Sequence, residues 1–209
     1  KLYTVATSTL YEVDPETMEM TGSLALPQYD TQSGATVYNT LQVSPTNGDI
    51  IVKATNMADQ SLPSRLVSVD PTDLSIRYQL ETPIGATRLA VASQGDTNYA
   101  YLSNDTQTLR FIIGEDGFEA DDAWSKVYRT EGDGTTGAVS MVYMPVQDTV
   151  VFANNNTVIY GVTAPLQLFT QATDTTEGSV SSINATSSTN PGGSFFSAAA
   201  DPFNSQMLV

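Results

Sequence analysis

One string occurs twice in this chain, 56 residues apart. Leu10-Tyr-Glu-Val-Asp-Pro-Glu-Thr-Met-Glu-Met-Thr is answered almost position for position by Leu66-Val-Ser-Val-Asp-Pro-Thr-Asp-Leu-Ser-Ile-Arg. Each copy is an alternating apolar–polar run, an Asp-Pro pair and a second alternating run. Alternation of period two marks a strand with one covered face. Asp followed by Pro suits the first two positions of a type I turn, because Pro presets φ and the Asp side chain can bond the backbone two residues on. The string therefore predicts a hairpin, and its repetition predicts an array of like units.

A second kind of hairpin alternates with the first. Leu41-Gln-Val-Ser-Pro-Thr-Asn-Gly-Asp-Ile-Ile-Val places Asn47-Gly48 between two apolar runs, the signal of a two-residue type I′ turn. The same plan recurs around Gly95-Asp96, Gln147-Asp148 and Asp201-Pro202. Looser copies of the Asp-Pro hairpin start at Leu109 and Val158. Together the two hairpins make a unit of four strands. Leu41, Leu89 and Met141 stand 48 and 52 residues apart, the size of a four-stranded propeller blade. A β-sandwich also spaces its strands this closely, but has no reason to repeat internally. Helical periodicity is confined to the short run from Ala120 to Val127.

The expected fold is an all-β propeller of four-stranded antiparallel blades. Blade segments fall at about 1–27 (the last three strands of one blade), 39–82, 87–130, 138–173 and 195–209 (the first two strands of another). That strand count is not a whole number of blades. It leads to the expectation of part of a longer propeller, with about six to eight blades. The Leu-Tyr-x-Val-Asp-Pro and Leu-Val-x-Val-Asp-Pro strings resemble repeats of the YVTN/quinoprotein-like β-propeller superfamily. The match covers two hairpins; the rest of the chain shares only the pattern. The resemblance implies a propeller fold, and often an extracellular or cell-surface setting. It implies no activity, since propellers host enzymes, binding platforms and structural modules alike.

Composition removes whole chemistries. There is no Cys and no His, so no disulfide, no thiolate or imidazole metal site and no Ser-His or Cys-His nucleophile pair. Eight basic against 23 acidic residues give a net charge of −15, with the basic residues scattered singly. Nucleic-acid affinity depends on Lys and Arg displacing counterions, so nucleic acid is not expected as a partner. No apolar run is long enough to cross a membrane as a helix. Three Asn-x-Ser/Thr sequons make Asn104, Asn155 and Asn184 candidate glycosylation sites.

The densest carboxylate run is Glu115, Asp116, Glu119, Asp121 and Asp122. Carboxylate oxygens suit calcium, which takes six to eight oxygen ligands, but the spacing is not that of an EF-hand. The run reads either as a calcium loop or as a solvated turn. Tyr99 and Tyr101 share a strand face, as a core pair or a sugar platform. Trp124 reads as a plug beneath the acidic loop. The Ser/Thr/Gly/Asn stretch from Asp174 to Ser194 and the shorter one from Gln28 to Thr36 are candidate contact loops. Arg88 begins an inner strand and could face a central channel. The inner strands read Leu41-Gln-Val-Ser, Arg88-Leu-Ala-Val-Ala, Val139-Ser-Met-Val-Tyr and Phe195-Phe-Ser-Ala-Ala, with no carboxylate among them.

The expected function is a non-enzymatic, extracellular or cell-surface scaffold. It would bind protein partners, glycans or copies of itself, without a cofactor. The alternative is a carboxylate- or calcium-dependent propeller enzyme, a hydrolase, lyase or lactonase.

Overall fold

The computed structural model describes residues 1–28, 36–45, 47–56, 59, 61–94, 97–104, 108–122, 140–145, 149–153, 165–170, 180–184, 199–200 and 207–208. Among the described residues the chain is nearly all β, a partial propeller-like fold made of antiparallel sheets whose strands follow one another in chain order. The first sheet has three strands, β1 (Leu2–Ala6), β2 (Thr9–Val13) and β3 (Met20–Ala25). The second is β4 (Thr36–Val43), β5 (Ile50–Asn56), β6 (Arg65–Val69) and β7 (Ile76–Glu81). The third is β8 (Arg88–Gln94), β9 (Thr97–Ser103), β10 (Thr108–Ile113) and β11 (Phe118–Ala120). The fourth is β12 (Ser140–Met144), β13 (Thr149–Ala153), β14 (Pro165–Thr170) and β15 (Val180–Asn184). The last is the pair β16 (Ala199–Ala200) and β17 (Met207–Leu208). The fourth sheet thus runs to Asn184, past the segment expected to end at 173. Its last strand, Val-Ser-Ser-Ile-Asn, is half polar, and low hydrophobicity hid it within a Ser/Thr-rich stretch.

The sheets stack face to face, in series. Tyr3, Val5, Leu10 and Leu24 of the first sheet pack on Ile50, Val52, Val67 and Val69 of the second. Ile51, Leu66, Tyr78 and Leu80, on the other face of the second, pack on Leu89, Val91, Leu102 and Phe111 of the third. Ala90, Ala92 and Tyr101 of the third then meet Met141 and Val150 of the fourth. A middle strand such as β5 is therefore covered on both sides, and every one of its seven residues is buried. The outer strands β3 and β7 keep the alternation of a half-exposed strand. Each Val, Leu or Ile buried this way contributes about 1.5–3 kcal/mol. No sheet covers itself, so the stability lies in the stacking.

The repeated hairpins share one loop at the level of single bonds. The Asp14 amide donates to the Glu19 carbonyl (2.9 Å), and the Met18 amide donates back to the Asp14 carbonyl (2.8 Å). Asp70 with Ser75 and Leu74 with Asp70 repeat this pair at 2.9 and 3.0 Å. The Asp14 and Asp70 carboxylates accept from the amides two residues on, Glu16 and Thr72. Ser44 with Asp49 and Gly48 with Ser44 form the same loop a third time. The polar side chain at its fourth position, Thr17, Asn47 or Asp73, accepts from the amide two residues later. Its fifth residue takes positive φ: Met18 58°, Gly48 76°, Leu74 56°.

This corrects the reading of Asn47-Gly48 as a two-residue type I′ turn. Of the pair only Gly48 has positive φ, and the loop spans Ser44 to Asp49. Pro45 starts it as Pro15 and Pro71 start the others, and the Asp49 amide, donating to Asn47 Oδ1, fixes its far side. The turns at Gly95-Asp96, Gln147-Asp148 and Asp201-Pro202 lie outside the described residues.

The loops also lock neighbouring sheets. Leu74, at the fifth position of the second sheet's loop, reaches over Gly22 of the first: a Cβ there would lie 2.7 Å from Leu74 Cδ1. One sheet further on the seam is closed by a hydrogen bond instead. Tyr78, at the place equivalent to Gly22, donates its hydroxyl to the Gly114 carbonyl (3.0 Å) and meets Phe118 edge-on at 5.0 Å. Gly22→Ala is expected to cost about 1 kcal/mol, since the obstructing methyl sits at the end of a side chain that can turn aside. In a double-mutant cycle read by urea denaturation, Leu74→Ala should remove most of that cost.

Candidate functional site

Where the sheets meet, polar side chains recur. At the first seam the Lys1 ammonium lies 2.8 Å from Glu12 and also donates to the Pro71 carbonyl of the second sheet (3.3 Å). Glu12 accepts the Thr21 hydroxyl at 2.7 Å and the Tyr3 hydroxyl at 3.5 Å. The bond from Lys1, then that from Thr21, hold the Glu12 carboxyl below the usual carboxylate range. Burial, the largest influence, pushes the Tyr3 phenol up. A carboxyl lowered by folding contributes stability that is lost as pH falls through its folded value.

The second seam holds Lys53, which is fully buried on β5. Its Nζ donates to Asn39 Oδ1 (2.9 Å), Thr55 Oγ1 (2.8 Å) and the Ala86 carbonyl (3.0 Å). Asn39 sits at a bulge in β4, which breaks the register between Tyr38 and Thr40. Ala86 belongs to the segment between β7 and β8, and Ser64 Oγ accepts its amide at 2.7 Å. Three neutral acceptors match the three ammonium hydrogens, but none carries charge. Burial, and then the Arg88 guanidinium, push the amine down to about 7.

Two more clusters hold buried charge. Arg77 spans the second sheet's two loops, with Nε 3.2 Å from Asp49 and Nη2 2.6 Å from Asp70. Arg110 is 4% exposed in the third sheet, and its Nε donates to Asp121 Oδ2 at 2.8 Å, joined by Nη2. The guanidinium lies 4.4 Å from the centre of the Tyr99 ring. Nearby, the Tyr143 hydroxyl of the fourth sheet donates to the Ser93 carbonyl of the third (2.6 Å).

The acidic run does not converge. Glu115 and Asp116 lie at the exposed tip of the β10–β11 turn, Glu119 is exposed on β11, and Asp122 is exposed beyond it. Asp121 instead turns back to Arg110. Among the described residues no three acidic side chains come together in a way that could hold a metal ion. Tyr99 and Tyr101 share a face, with ring centroids 6.5 Å apart. Tyr101 is 1% exposed and covered by the fourth sheet, so it is a core residue. Arg88 is half-buried and donates to the Thr87 carbonyl (2.9 Å). Asn104 is half-buried just after β9, and Asn184 ends β15. Asn155, Trp124 and the loop from 185 to 194 lie outside the described residues, as do 29–35 and 174–179.

Lys53 was missed by sequence reasoning although a signal was there. In Ile50-Ile-Val-Lys-Ala, alternation puts Lys53 on the face of Ile51, which a central strand buries. The Arg110–Asp121 pair had no local signal, because their separation closes only through the β10–β11 hairpin.

No protein-family model matches this chain. No curated protein matches it either. Among solved structures, hydrazine synthase from Kuenenia stuttgartiensis is similar at 12% identity with a TM-score of 0.47. That likeness covers 96% of this chain and 66% of the other, so this chain spans just under two thirds of the length of the protein it resembles. The fold assignment stands on the sheet topology itself.

Proposed function

We propose that this chain is a non-catalytic β-propeller scaffold of the YVTN/quinoprotein-like kind, working outside the cell or at its surface. The observation that carries the reading is the use made of buried charge. Glu12, Lys53, Arg110 and Asp49 each have their bonds within or between sheets, where they fasten strands and loops rather than face an open cavity. Catalytic groups need access to substrate as well as a perturbed environment. Among the described residues Glu16, Glu19, Asp59, Asp73, Glu81, Glu115, Asp116, Glu119 and Asp122 are exposed, an acidic surface that favours solubility and basic protein partners. The sequons at Asn104, Asn155 and Asn184 fit an extracellular setting.

The test is the intact mass of the protein from its native source, before and after enzymatic removal of N-glycans. The expected result is a fall in mass on treatment, with glycan mapped to one or more of the three Asn residues. An unchanged mass contradicts the extracellular part of the reading. Calorimetric titration with calcium separates the scaffold from the calcium-dependent enzyme. A scaffold with Asp121 held by Arg110 gives no saturable heat. Saturable binding that is lost in Glu115→Gln and Asp116→Asn variants would replace it with the enzyme reading.

A further inference from the structure

Asn47 is the only asparagine in the chain that is followed by glycine. Asparagine is a thermolabile residue, and the cause is internal. The backbone nitrogen of the next residue can attack the side-chain amide carbon and close a ring. A Cβ on that next residue hinders the approach. Gly48 has none, and nothing lies within 4 Å of where one would be. Asn47 itself is exposed in the β4–β5 loop. The loop also prepares the amide for attack. The Asp49 amide donates to Asn47 Oδ1 (3.1 Å), the oxygen on which charge develops as the carbon is attacked.

We propose that Asn47 is a self-modification site, converted with time to aspartate and isoaspartate through a cyclic imide with Gly48. The Gly48 nitrogen gives its proton to water or hydroxide and bonds to Asn47 Cγ. The Cγ–Nδ2 bond breaks, and the nitrogen leaves as ammonia with a proton from solvent. Water then opens the ring at either carbonyl. Opening at Cγ gives aspartate on an unchanged backbone. Opening at the main-chain carbonyl leaves the backbone running through Cγ, one carbon longer.

The two products act differently on the loop. Aspartate fits, because Asp73 holds the same fourth position in the second sheet's other loop and accepts the Ser75 amide at 2.9 Å. Isoaspartate displaces Gly48 from the Ser44 carbonyl, which accepts its amide at 3.0 Å, and carries Asp49 with it. Asp49 is 2% exposed, accepts the Ser68 hydroxyl at 3.2 Å and lies 3.2 Å from Arg77. The longer backbone therefore loosens the clasp by which Arg77 joins the two loops.

The full chain is held for weeks at neutral and at alkaline pH, and its peptides are mapped by mass. Isoaspartate is read by methylation with an isoaspartyl methyltransferase. The expected result is a gain of one dalton, faster at Asn47 than at any other asparagine and faster at the higher pH, with both products present. Asn47→Asp is expected to unfold at the wild-type urea concentration, and the isoaspartate form, enriched by ion exchange, at a lower one. No gain at Asn47, or a faster gain at another asparagine, overturns the proposal. An isoaspartate form as stable as wild type, or an Asn47→Asp variant weakened as much as that form, overturns the part given to Asp49 and Arg77.

Discussion

Replacing Asp121 with Ala is expected to cost about 3–5 kcal/mol, the largest effect of any single side chain outside the apolar core. Arg110 is 4% exposed, and Asp121 meets its Nε and Nη2. Without that carboxylate, the buried guanidinium loses the anion that meets its Nε and Nη2 and keeps the Tyr99 ring, with the Tyr101 hydroxyl 3.5 Å from Nη1. The ring face supplies some attraction, of about 1–2 kcal/mol when desolvated, which does not cover the loss. The paired charge is not itself a large source of stability. Removing both members, as Arg110→Met with Asp121→Ala, should therefore restore most of the loss, because an apolar chain of similar length fills the space without desolvation. Urea denaturation of the two single variants and the double variant reads all three. A double variant as unstable as Asp121→Ala alone would mean that the site depends on the charge itself.

The second large effect is a dependence on pH set by Lys53. Unfolded, its amine titrates near 10.5; folded, burial and Arg88 push it down to about 7. Between these values the unfolded chain holds a proton that the folded chain has released. Stability therefore rises as pH rises through that window, and the gain is absent below it. The slope approaches about 1.4 kcal/mol per pH unit, so about 2 kcal/mol should be gained between pH 7 and pH 9. Above about pH 10 the tyrosines oppose the trend. Tyr3 and Tyr78, both raised by burial, stay protonated in the fold while the unfolded chain ionises. Lys53→Met should flatten the rise between pH 7 and pH 9. A wild-type curve already flat there would mean that the ammonium, matched by Asn39, Thr55 and Ala86, stays charged in the fold.

The parts of the fold legible in sequence are those with local causes. The Asp-Pro hairpins could be read because the loop makes its own bonds: Pro presets the entry, and Asp14 or Asp70 captures the amide two residues on. The four-strand unit could be read because the loop recurs at a fixed interval. Asn47-Gly48 was misread because two signals overlap there. Pro45 begins the longer loop, and Gly48 serves its fifth position as Met18 and Leu74 serve theirs. The strand Val180–Asn184 was hidden because its pairing with β14 comes from the neighbour rather than from its own composition.

The functional residues were harder to see for the same reason. The acidic run looked like one cluster along the chain. In space, strand alternation and the return of Asp121 to Arg110 divide it. Lys53 drew no reading along the chain; it is the cover on both faces of β5 that buries it. The contacts of Leu74 with Gly22 and of the Tyr78 hydroxyl with the Gly114 carbonyl have no one-dimensional signature at all.

Those contacts also carry the docking itself: one repeated sheet-and-loop unit sits on the sheet before it, always by the same face. In a nuclear Overhauser spectrum of methyl-labelled protein, the Leu74 δ-methyls should show cross-peaks to the Gly22 α-protons, and the Tyr78 ring to the Gly114 α-protons. Both together are the predicted result. Strand-pairing cross-peaks within each sheet, with neither of these between sheets, would leave the hairpins standing and contradict the stack.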